Sequence, residues 1–142
     1  MTIALVIANK GASIVSVDAA QSVREVVALL ADRRIGAVPV LRDGVVAGIF
    51  SERDVVYGLE RDGEALLSMP VGQVMTTPAI TIDPGESVLV ALSMMTRRRI
   101  RHLPVIDGDR LIGFVSIGDL VKYRIDGIER EAEALREYIQ HG

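Results

Sequence analysis

The sequence predicts a mixed α/β (α+β) fold of two tandem β-α-β-β-α units, packed sheet to sheet about a pseudo-two-fold axis. One observation is an internal repeat: a shift of 65 positions aligns residues 17–56 with residues 82–121 without a gap, and 12 of these 40 positions are identical. The other is that strand-like and helix-like apolar spacings follow the same order in both copies. A duplicated chain is expected to hold two similar clefts, one on either side of the axis.

The first unit reads as strand, helix, strand, strand and helix. Its strands are predicted at Ile14–Val17, Ala37–Leu41 and Val45–Phe50. Ser22 and Glu25 predict a capping box at the start of the first helix. Asp43 and Gly44 predict a tight hairpin turn, and the second helix is expected to begin at Ser51.

The second unit repeats this order. Its strands are predicted at Ala79–Ile82, Leu103–Ile106 and Leu111–Val115. Ser87 is expected to cap a helix that ends near Arg98, and a final helix should run from Ser116 toward Gln140. A short helix is predicted at Val71–Met75, in the connection between the units.

Three short strands and two helices cannot close a hydrophobic core alone, so the two units are expected to form one body. We assign the first unit to residues 1–65, with the N-terminal segment, and the second to residues 66–123, with a linker at 66–76. Residues 124–142 are predicted to form a charged C-terminal helix.

Composition excludes several classes of function. The 142 residues, 49% hydrophobic and 25% charged, are typical of a globular protein, and the net charge of −3 gives no drive toward nucleic acid or anionic membranes. Without cysteine there are no disulfides or thiolate sites, and His102 and His141 cannot form a multi-histidine site, so no metal is expected. The apolar run Ile3–Ala8 is too short to span a bilayer and lacks a basic flank, so we expect a cytoplasmic protein without membrane contact.

Two sequence marks occur in both units at the constant offset. They are a strand ending in x-Pro-Val and a following Gly-h-x-Ser-x-x-Asp segment, found at Gly36–Val40 with Gly48–Asp54 and at Arg101–Val105 with Gly113–Asp119. With these marks, the chain from about Gly11 to Tyr123 resembles a tandem pair of CBS domains, a family named from cystathionine β-synthase. The resemblance implies a module that binds adenine nucleotides. AMP is the ligand expected first, with ADP, ATP, NAD(H) or S-adenosylmethionine as alternatives.

The Ser-x-x-Asp segments suit a nucleotide. Ser51 and Ser116 each begin a helix, where free backbone amides and the positive end of the helix dipole favour a phosphate. Asp54 and Asp119 lie one turn later and could accept hydrogen bonds from both hydroxyls of a ribose. The same pattern is also a plain capping box, which stabilises a helix by about 1 kcal/mol. Two copies within the family's pattern favour ribose binding, and the two roles are compatible.

The walls for the base are predicted beside the two prolines. Pro39 and Pro104 have no amide hydrogen and are expected near strand edges, although an ordinary edge-strand proline is the alternative. The backbone before them would then be free to bind a base edge, at Ala37 and Val38 in one unit and at His102 and Leu103 in the other. The strands that lead into the units would form the opposite wall, through Ser13, Val15, Thr77 and Ile80.

Four arginines occupy the five positions 97–101 at a predicted helix end. Cations favour that end of the helix dipole, but so many like charges repel one another, and a polyphosphate would relieve the repulsion. Because related pairs use basic residues before the x-Pro strand to reach phosphates, Arg101 and His102 are expected to contact phosphate. Arg97 and Arg98 are expected to be solvated.

The two sites are not expected to be equal. Gly36 stands where the second unit has Arg101, so the first unit offers less charge at that wall. Arg53, a further candidate for phosphate, stands where the second unit has Gly118. Residues 74–78, which precede the second unit's strand, have no clear counterpart before the first.

The function favoured by these observations is an adenine-nucleotide sensor without catalytic activity. It would act in trans on an unidentified regulated protein or through its own homodimer. An enzyme is disfavoured because there is no Ser/His/Asp set, no Walker loop and no Gly-x-Gly-x-x-Gly. The alternative is a structural homodimerisation module. Less favoured is an RNA or DNA binder acting through Arg97–Arg101, since the net charge and the lack of stacking aromatics oppose it.

Overall fold

The computed structural model describes residues 1–11 and 13–141. The helices are α1 (Ile3–Lys10), α2 (Val23–Arg33), α3 (Glu52–Asp62), α4 (Val71–Val74), α5 (Val88–Arg98) and α6 (Ile117–His141), with a 3-10 turn at Gly63–Ser68. The strands are β1 (Val17–Asp18), β2 (Ala37–Arg42), β3 (Val45–Ser51), β4 (His102–Asp107) and β5 (Arg110–Ser116). Ala12, and Gly142 at the end of the predicted 124–142 helix, lie outside the described residues.

The strands form two small sheets, in the orders β1-β2-β3 and β4-β5. The antiparallel pairs β2–β3 and β4–β5 have the same register, and each is interrupted by a bulge, after Val40 in one pair and after Val105 in the other. In the first hairpin, Asp43 and Gly44 have φ angles of 54° and 80°, as the predicted tight turn requires. The predicted mixed fold of two tandem units is confirmed.

The strands that lead into each unit are shorter than predicted. Ile14–Val17 was expected as a strand, but only Val17 and Asp18 pair with β2, opposite Val40 and Leu41. The expected strand Ala79–Ile82 reduces to a single parallel bridge from Ile82 to Val105. The residues before these pairings lie along the walls of the two clefts described below.

Hydroxyl caps start α2 and α5 as the sequence predicted. The Ser22 hydroxyl accepts a hydrogen bond from the Glu25 amide at 3.2 Å, and the Ser87 hydroxyl accepts one from the Val90 amide at 3.1 Å. In a capping box the Glu25 carboxylate would accept from the Ser22 amide. Here it accepts from the Gln21 side chain at 3.3 Å instead. The predicted final helix is α6, continuous to His141.

Helix α1 packs on the second unit, although it precedes the first unit in the chain. Its start is fixed by backbone hydrogen bonds from Ile3 to the Glu86 carbonyl and from Ala4 to the Pro84 carbonyl. The Val88 amide also donates to the Met1 carbonyl. The second unit therefore takes its first helix from the far end of the chain.

Helix α4 completes the first unit in the same way. Val71 donates to the Gln21 carbonyl, Gly72 donates to the Ala19 carbonyl, and Met69 accepts from the Val23 amide. These three bonds reproduce those of α1, so residues 69–75 correspond to residues 1–7 at an offset of 68. The sequence repeat missed this counterpart because three additional residues separate α1 from β1, which moves the offset away from 65. With the additional residues, α1 extends to Lys10.

Each half of the molecule has its own apolar core. Leu66, Val71 and Met75 are buried with the residues of the first unit, whereas Ile3 and Val6 are buried with those of the second. The predicted unit boundaries at residues 65 and 123 stay a prediction, and the two cores divide the chain differently at its N-terminal segment and linker. Within residues 1–11 and 13–141, every buried side chain of the cores is apolar.

Replacing Gly48 with alanine is expected to destabilise the first core by about 1–3 kcal/mol, the usual cost of overpacking. A Cβ atom at Gly48 would lie 2.5 Å from the Thr76 carbonyl oxygen and 2.7 Å from the Met75 sulfur. Gly118→Ala is the control, since a Cβ there meets the Ser116 hydroxyl at 3.6 Å, an ordinary contact, and alanine favours a helix. Urea unfolding should show a loss of stability for the first variant and none for the second. Equal effects would contradict the close approach of residues 75–76 to β3.

Candidate functional site

Two clefts open between the units, and each is built from both. The Asp54 cleft, of about 360 Å³, joins the start of α3 to residues Thr76, 78–80 and 99–102 of the second unit. The Asp119 cleft, of about 460 Å³, joins the start of α6 to residues 13–15 and 34–37 of the first unit and to the end of α1. The predicted base wall of each unit therefore faces the Ser-x-x-Asp segment of the other unit.

Most of the site residues predicted from the sequence line one of these clefts. Those in the Asp54 cleft are Ser51, Arg53, Asp54, Ile80, Arg101 and His102. Those in the Asp119 cleft are Ser13, Val15, Ala37, His102, Ser116 and Asp119. Neither lining includes the remaining predicted residues, which are Val38, Pro39, Thr77, Leu103 and Pro104.

The residues that miss the clefts have other contacts. Val38 and Leu103 are fully buried in the two cores. The Thr77 hydroxyl donates to the Ala47 carbonyl at 2.8 Å. Pro39 pairs with Ile49 of β3 on one side of β2, whereas β1, on the other side, pairs only with Val40 and Leu41.

Asp54 holds the start of α3 together. One of its carboxylate oxygens accepts the Ser51 amide at 2.9 Å and the Ser51 hydroxyl at 3.2 Å. The other oxygen accepts the Thr76 hydroxyl at 2.9 Å. A carboxylate offers about four acceptor positions, and these bonds occupy three of them. The capping role considered from the sequence is therefore present, through the Ser51 amide. The other two partners, Ser51 and Thr76, are hydroxyl groups that can rotate away.

Asp119 is held by a cation instead. The Lys10 ammonium donates to Asp119 at 2.9 Å and to the Phe114 carbonyl at 2.9 Å, and the Ser116 amide donates to the same carboxylate oxygen at 2.9 Å. Burial raises the pKa of Asp119, but the hydrogen bonds from Ser116 and Lys10 outweigh it and leave the pKa below its ordinary value. Lys10 takes the place that Thr76 has in the other cleft.

The helix starts offer fewer free amides than the sequence predicted for a phosphate. The Glu52 amide donates to the Gly36 carbonyl at 3.0 Å, and the Ile117 amide donates to the Arg101 carbonyl at 2.8 Å. The Asp119 amide is also taken, by the Ser116 hydroxyl at 3.0 Å. An anion at either helix start therefore depends more on cationic side chains than on backbone amides.

His102 lies between the two clefts and lines both of them. Its ring stacks on Phe114, with centroids 5.4 Å apart and planes 10° apart. Burial lowers the pKa of His102, and the positive charges of Lys10 and Arg101 act in the same direction, against the opposing effect of Asp119. The environment of the imidazole therefore favours its neutral form.

Lys10, Thr76, Arg34 and Arg99 are among the cleft residues that the sequence analysis did not assign to a site. Lys10 and Thr76 gave no signal, because each precedes the ungapped repeat. Arg34 and Arg99 line the two clefts at equivalent positions and end α2 and α5 with φ angles of 53° and 54°. A signal for these two residues was present in the sequence, because arginine occurs at this position in both copies. Glycine is the residue usually preferred where a helix ends in this conformation, so a repeated arginine is unusual.

The described residues give two further observations. In the ranges 1–11 and 13–141, no group of three or more histidine, aspartate and glutamate side chains is placed to hold a metal ion. Among the helices of that part of the chain, none combines the length and the apolar character needed to cross a bilayer.

Comparison with known families agrees with this geometry. The model of the CBS domain matches the chain twice, at residues 8–61 and 71–126. The chain belongs to the CBS-domain family. CBS-domain pairs are regulatory modules, and the resemblance found in the sequence is thereby confirmed.

Relatives of this CBS pair share its sequence and its fold. CBSX3, a mitochondrial CBS domain-containing protein of Arabidopsis thaliana, is 37% identical over 126 residues, which cover 85% of this chain and 61% of that protein. The crystal structure of a CBS-domain containing protein from Agrobacterium tumefaciens matches with a TM-score of 0.81 at 37% identity, over 87% of this chain and 92% of that one. The structure of CBSX2 in complex with AMP matches with a TM-score of 0.74 at 22% identity, over 88% and 96% of the two chains.

Because the pKa of His102 is lowered in the folded CBS pair, the unfolded chain binds a proton more readily. Stability should therefore fall as the pH drops below about 6.5, the ordinary pKa of histidine. The free energy of unfolding, measured with urea at about pH 7.5 and pH 5.5, should fall less between the two pH values in His102→Gln than in the wild type. His141→Gln, at an exposed position, is the control and should keep the wild-type loss. An unchanged loss in His102→Gln would refute the burial of this imidazole.

Proposed function

We propose that this CBS pair is a regulatory module that binds adenine nucleotide in the clefts between its units and catalyses no reaction of its own. The observation that carries the proposal is the pairing of each Ser-x-x-Asp segment with the wall of the opposite unit across a cleft of about 360 or 460 Å³. Cavities of this size hold small molecules. The complex of the similar fold CBSX2 with AMP supports an adenosine ligand, with AMP as the first candidate and ADP, ATP or NAD(H) as alternatives.

The ribose is assigned to Asp54 in one cleft and to Asp119 in the other. At Asp54, the two ribose hydroxyls would replace the hydroxyls of Ser51 and Thr76, which costs little because one hydroxyl donor is exchanged for another. At Asp119, Lys10 and Ser116 use one oxygen, and the second oxygen remains an acceptor for a ribose hydroxyl.

The base is assigned to the walls opposite the aspartates. In the Asp54 cleft this wall is formed by Ile80 and His102, and in the Asp119 cleft by Ser13, Val15 and Ala37. Amide and carbonyl groups at a strand edge can match the ring nitrogen and amine of a purine.

A regulatory output follows from the composite walls. A ligand that touches both units favours the packing of the units that best surrounds it, and this shift in population can be read by a partner protein in trans or by a second copy of the chain. Any such partner must recognise a surface that changes with the angle between the units.

Binding should depend on the two aspartates. With adenine ligand at 100 times its dissociation constant, the free energy of unfolding should rise by about 2.7 kcal/mol, and a panel of AMP, ADP, ATP, NAD and GTP should give a selective thermal shift. Asp54→Ala and Asp119→Ala should each remove one calorimetric site, because the ribose loses its acceptor.

The matched control separates binding from helix capping. Ser87→Ala removes the cap of α5, away from both clefts, and should cost about 1 kcal/mol of stability, as the aspartate variants do, while it leaves the ligand affinity unchanged. Normal binding by both aspartate variants would overturn the ribose assignment. A flat panel with nucleotide-free protein would overturn the nucleotide function itself.

A second candidate function, homodimerisation, is favoured by one specific feature of α6. Apolar residues recur along it with alternating spacings of four and three, which is the seam of a two-stranded coiled coil. They are Val121, Ile125, Ile128, Ala132, Leu135 and Ile139. The five large residues of this seam are exposed, from 42% at Val121 to 70% at Ile139. A second copy of the chain would cover them.

The charges beside the seam also fit a second copy. In a parallel pair of α6 helices, Arg124 would face Glu129 of the second copy, and Glu131 would face Arg136 of the second copy. Both pairs attract, so the charge pattern supports an in-register parallel dimer.

Leu135→Glu should weaken the dimer, because it puts a carboxylate into the centre of this seam. Ala134→Glu adds the same charge at the neighbouring exposed position off the seam and is expected to leave the dimer intact. Sedimentation equilibrium would compare the two dimerisation constants. A wild-type chain that is monomeric at all concentrations, or equal weakening by both variants, would rule the seam out.

A further inference from the structure

The pseudo-two-fold relation shows that the two clefts differ in a consistent way. Arg53 and Arg101 both line the Asp54 cleft, although one belongs to the first unit and the other to the second. The positions equivalent to them in the Asp119 cleft are Gly118 and Gly36. The composite construction therefore concentrates both additional arginines in a single cleft.

The net formal charge does not distinguish the clefts, but the pairing of the charges does. Arg53, Arg99 and Arg101 share the Asp54 cleft with Glu52 and Asp54, and among the described residues none of these guanidinium groups lies within 4.0 Å of a carboxylate oxygen. The three groups keep their donors available to a ligand.

In the Asp119 cleft, one of the two cations is already engaged. Lys10 is paired with Asp119 at 2.9 Å, which leaves the guanidinium group of Arg34 as the remaining cation of that lining. An anion entering this cleft meets fewer available donors than in the Asp54 cleft.

The backbone at Arg99 supports a role for its side chain. Its φ of 54° is unfavourable for any residue with a Cβ atom and natural for glycine. An arginine at this position gives up backbone stability and gains a guanidinium group at the cleft. Arg34 has the same conformation in the Asp119 cleft, so this feature supports an arginine contact in both clefts, and the difference between the clefts comes from Arg53 and Arg101.

We propose that the Asp54 cleft binds the phosphate chain of a nucleoside polyphosphate, in preference to the Asp119 cleft, through Arg53, Arg99 and Arg101. The assignment rests on the proposed function, because it gives different ligand classes to the two clefts of the same sensor. Guanidinium groups bind phosphate oxygens in a bidentate manner, and three of them suit two or three linked phosphates better than one. A concave cleft of about 360 Å³ lies in the size range of small-molecule sites.

The polyphosphate would also connect the two units. Arg53 lies on α3 of the first unit, whereas Arg99 and Arg101 belong to the second, on either side of the cleft. A phosphate chain held by both sides favours the packing in which the arginines approach one another. Without the chain, the same three charges repel.

The test uses inorganic tripolyphosphate together with adenosine, AMP and ATP, titrated calorimetrically into the full chain. Arg101→Ala and Arg99→Gly should each weaken tripolyphosphate and ATP by about ten-fold or more, while adenosine changes by less than about two-fold. Arg99→Gly should keep its thermal stability, because glycine is preferred at this helix end. Arg98→Ala, an exposed arginine outside the cleft, removes the same charge and should change no affinity by more than about two-fold.

Amide shift changes in NMR spectra locate the phosphate chain. Tripolyphosphate should first shift the signals of Arg53, Thr76 and Arg101, and not those of Lys10 and Phe114. The proposal is overturned if Lys10 and Phe114 respond first, if Arg98→Ala weakens binding as much as Arg101→Ala, or if single-stranded RNA binds more tightly than ATP in an Arg101-dependent way.

The experiment distinguishes a failure of the proposed nucleotide function from a failure of the proposed polyphosphate site. Arg101-dependent binding of tripolyphosphate without any binding of adenosine or AMP would retain the anion site and reject the adenine function. Binding of AMP without binding of tripolyphosphate would retain the adenine function and reject the polyphosphate site.

Discussion

Each half of the molecule completes its core with a helix that precedes the other half in the chain. Val71 and Met75 close the first core, and Ile3 and Val6 close the second. The reason lies in the size of the units: a sheet of two or three short strands with two helices leaves one apolar side uncovered. The helix from the other half covers that side, so the two halves depend on one another for their stability.

This exchange also determines where ligands can bind. The segment that follows each exchanged helix must cross from one unit to the other, and it lies along a cleft on the way, as Ser13–Val15 and Pro78–Ile80 do. A ligand in such a place contacts the connection that holds the two halves together, which is the mechanical requirement for sensing.

The sequence predicted most of the fold because its signals are local. The Ser22 and Ser87 caps, the Asp43–Gly44 turn and the apolar spacing of α2 and α5 depend on neighbours a few residues away. The exchange of α1 and α4 was not predictable in this way, since its partners are about 50 to 85 residues apart and three additional residues hide the second repeat offset.

The residues of the candidate site also differ in whether a local sequence pattern marks them. The residues of the Ser-x-x-Asp segments were found because their pattern is local and occurs twice. Lys10 was not found, because its role is to reach Asp119 across more than a hundred positions, and no short-range pattern records such a contact. For the same reason, the sequence could place Arg53 and Arg101 in the phosphate role but could not show that they share one cleft.

The two clefts cannot be independent, because Gly36 and His102 line both of them. Burial lowers the pKa of His102, which favours the uncharged ring beside Arg101. It forms part of the wall of both clefts, stacked on Phe114 and paired with Ser116 at the start of α6. A ligand that moves this wall in one cleft changes the shape of the other. By linkage, a second ligand would then act on the first with the same free energy, so the proposed binding of ligands in the two clefts would be coupled.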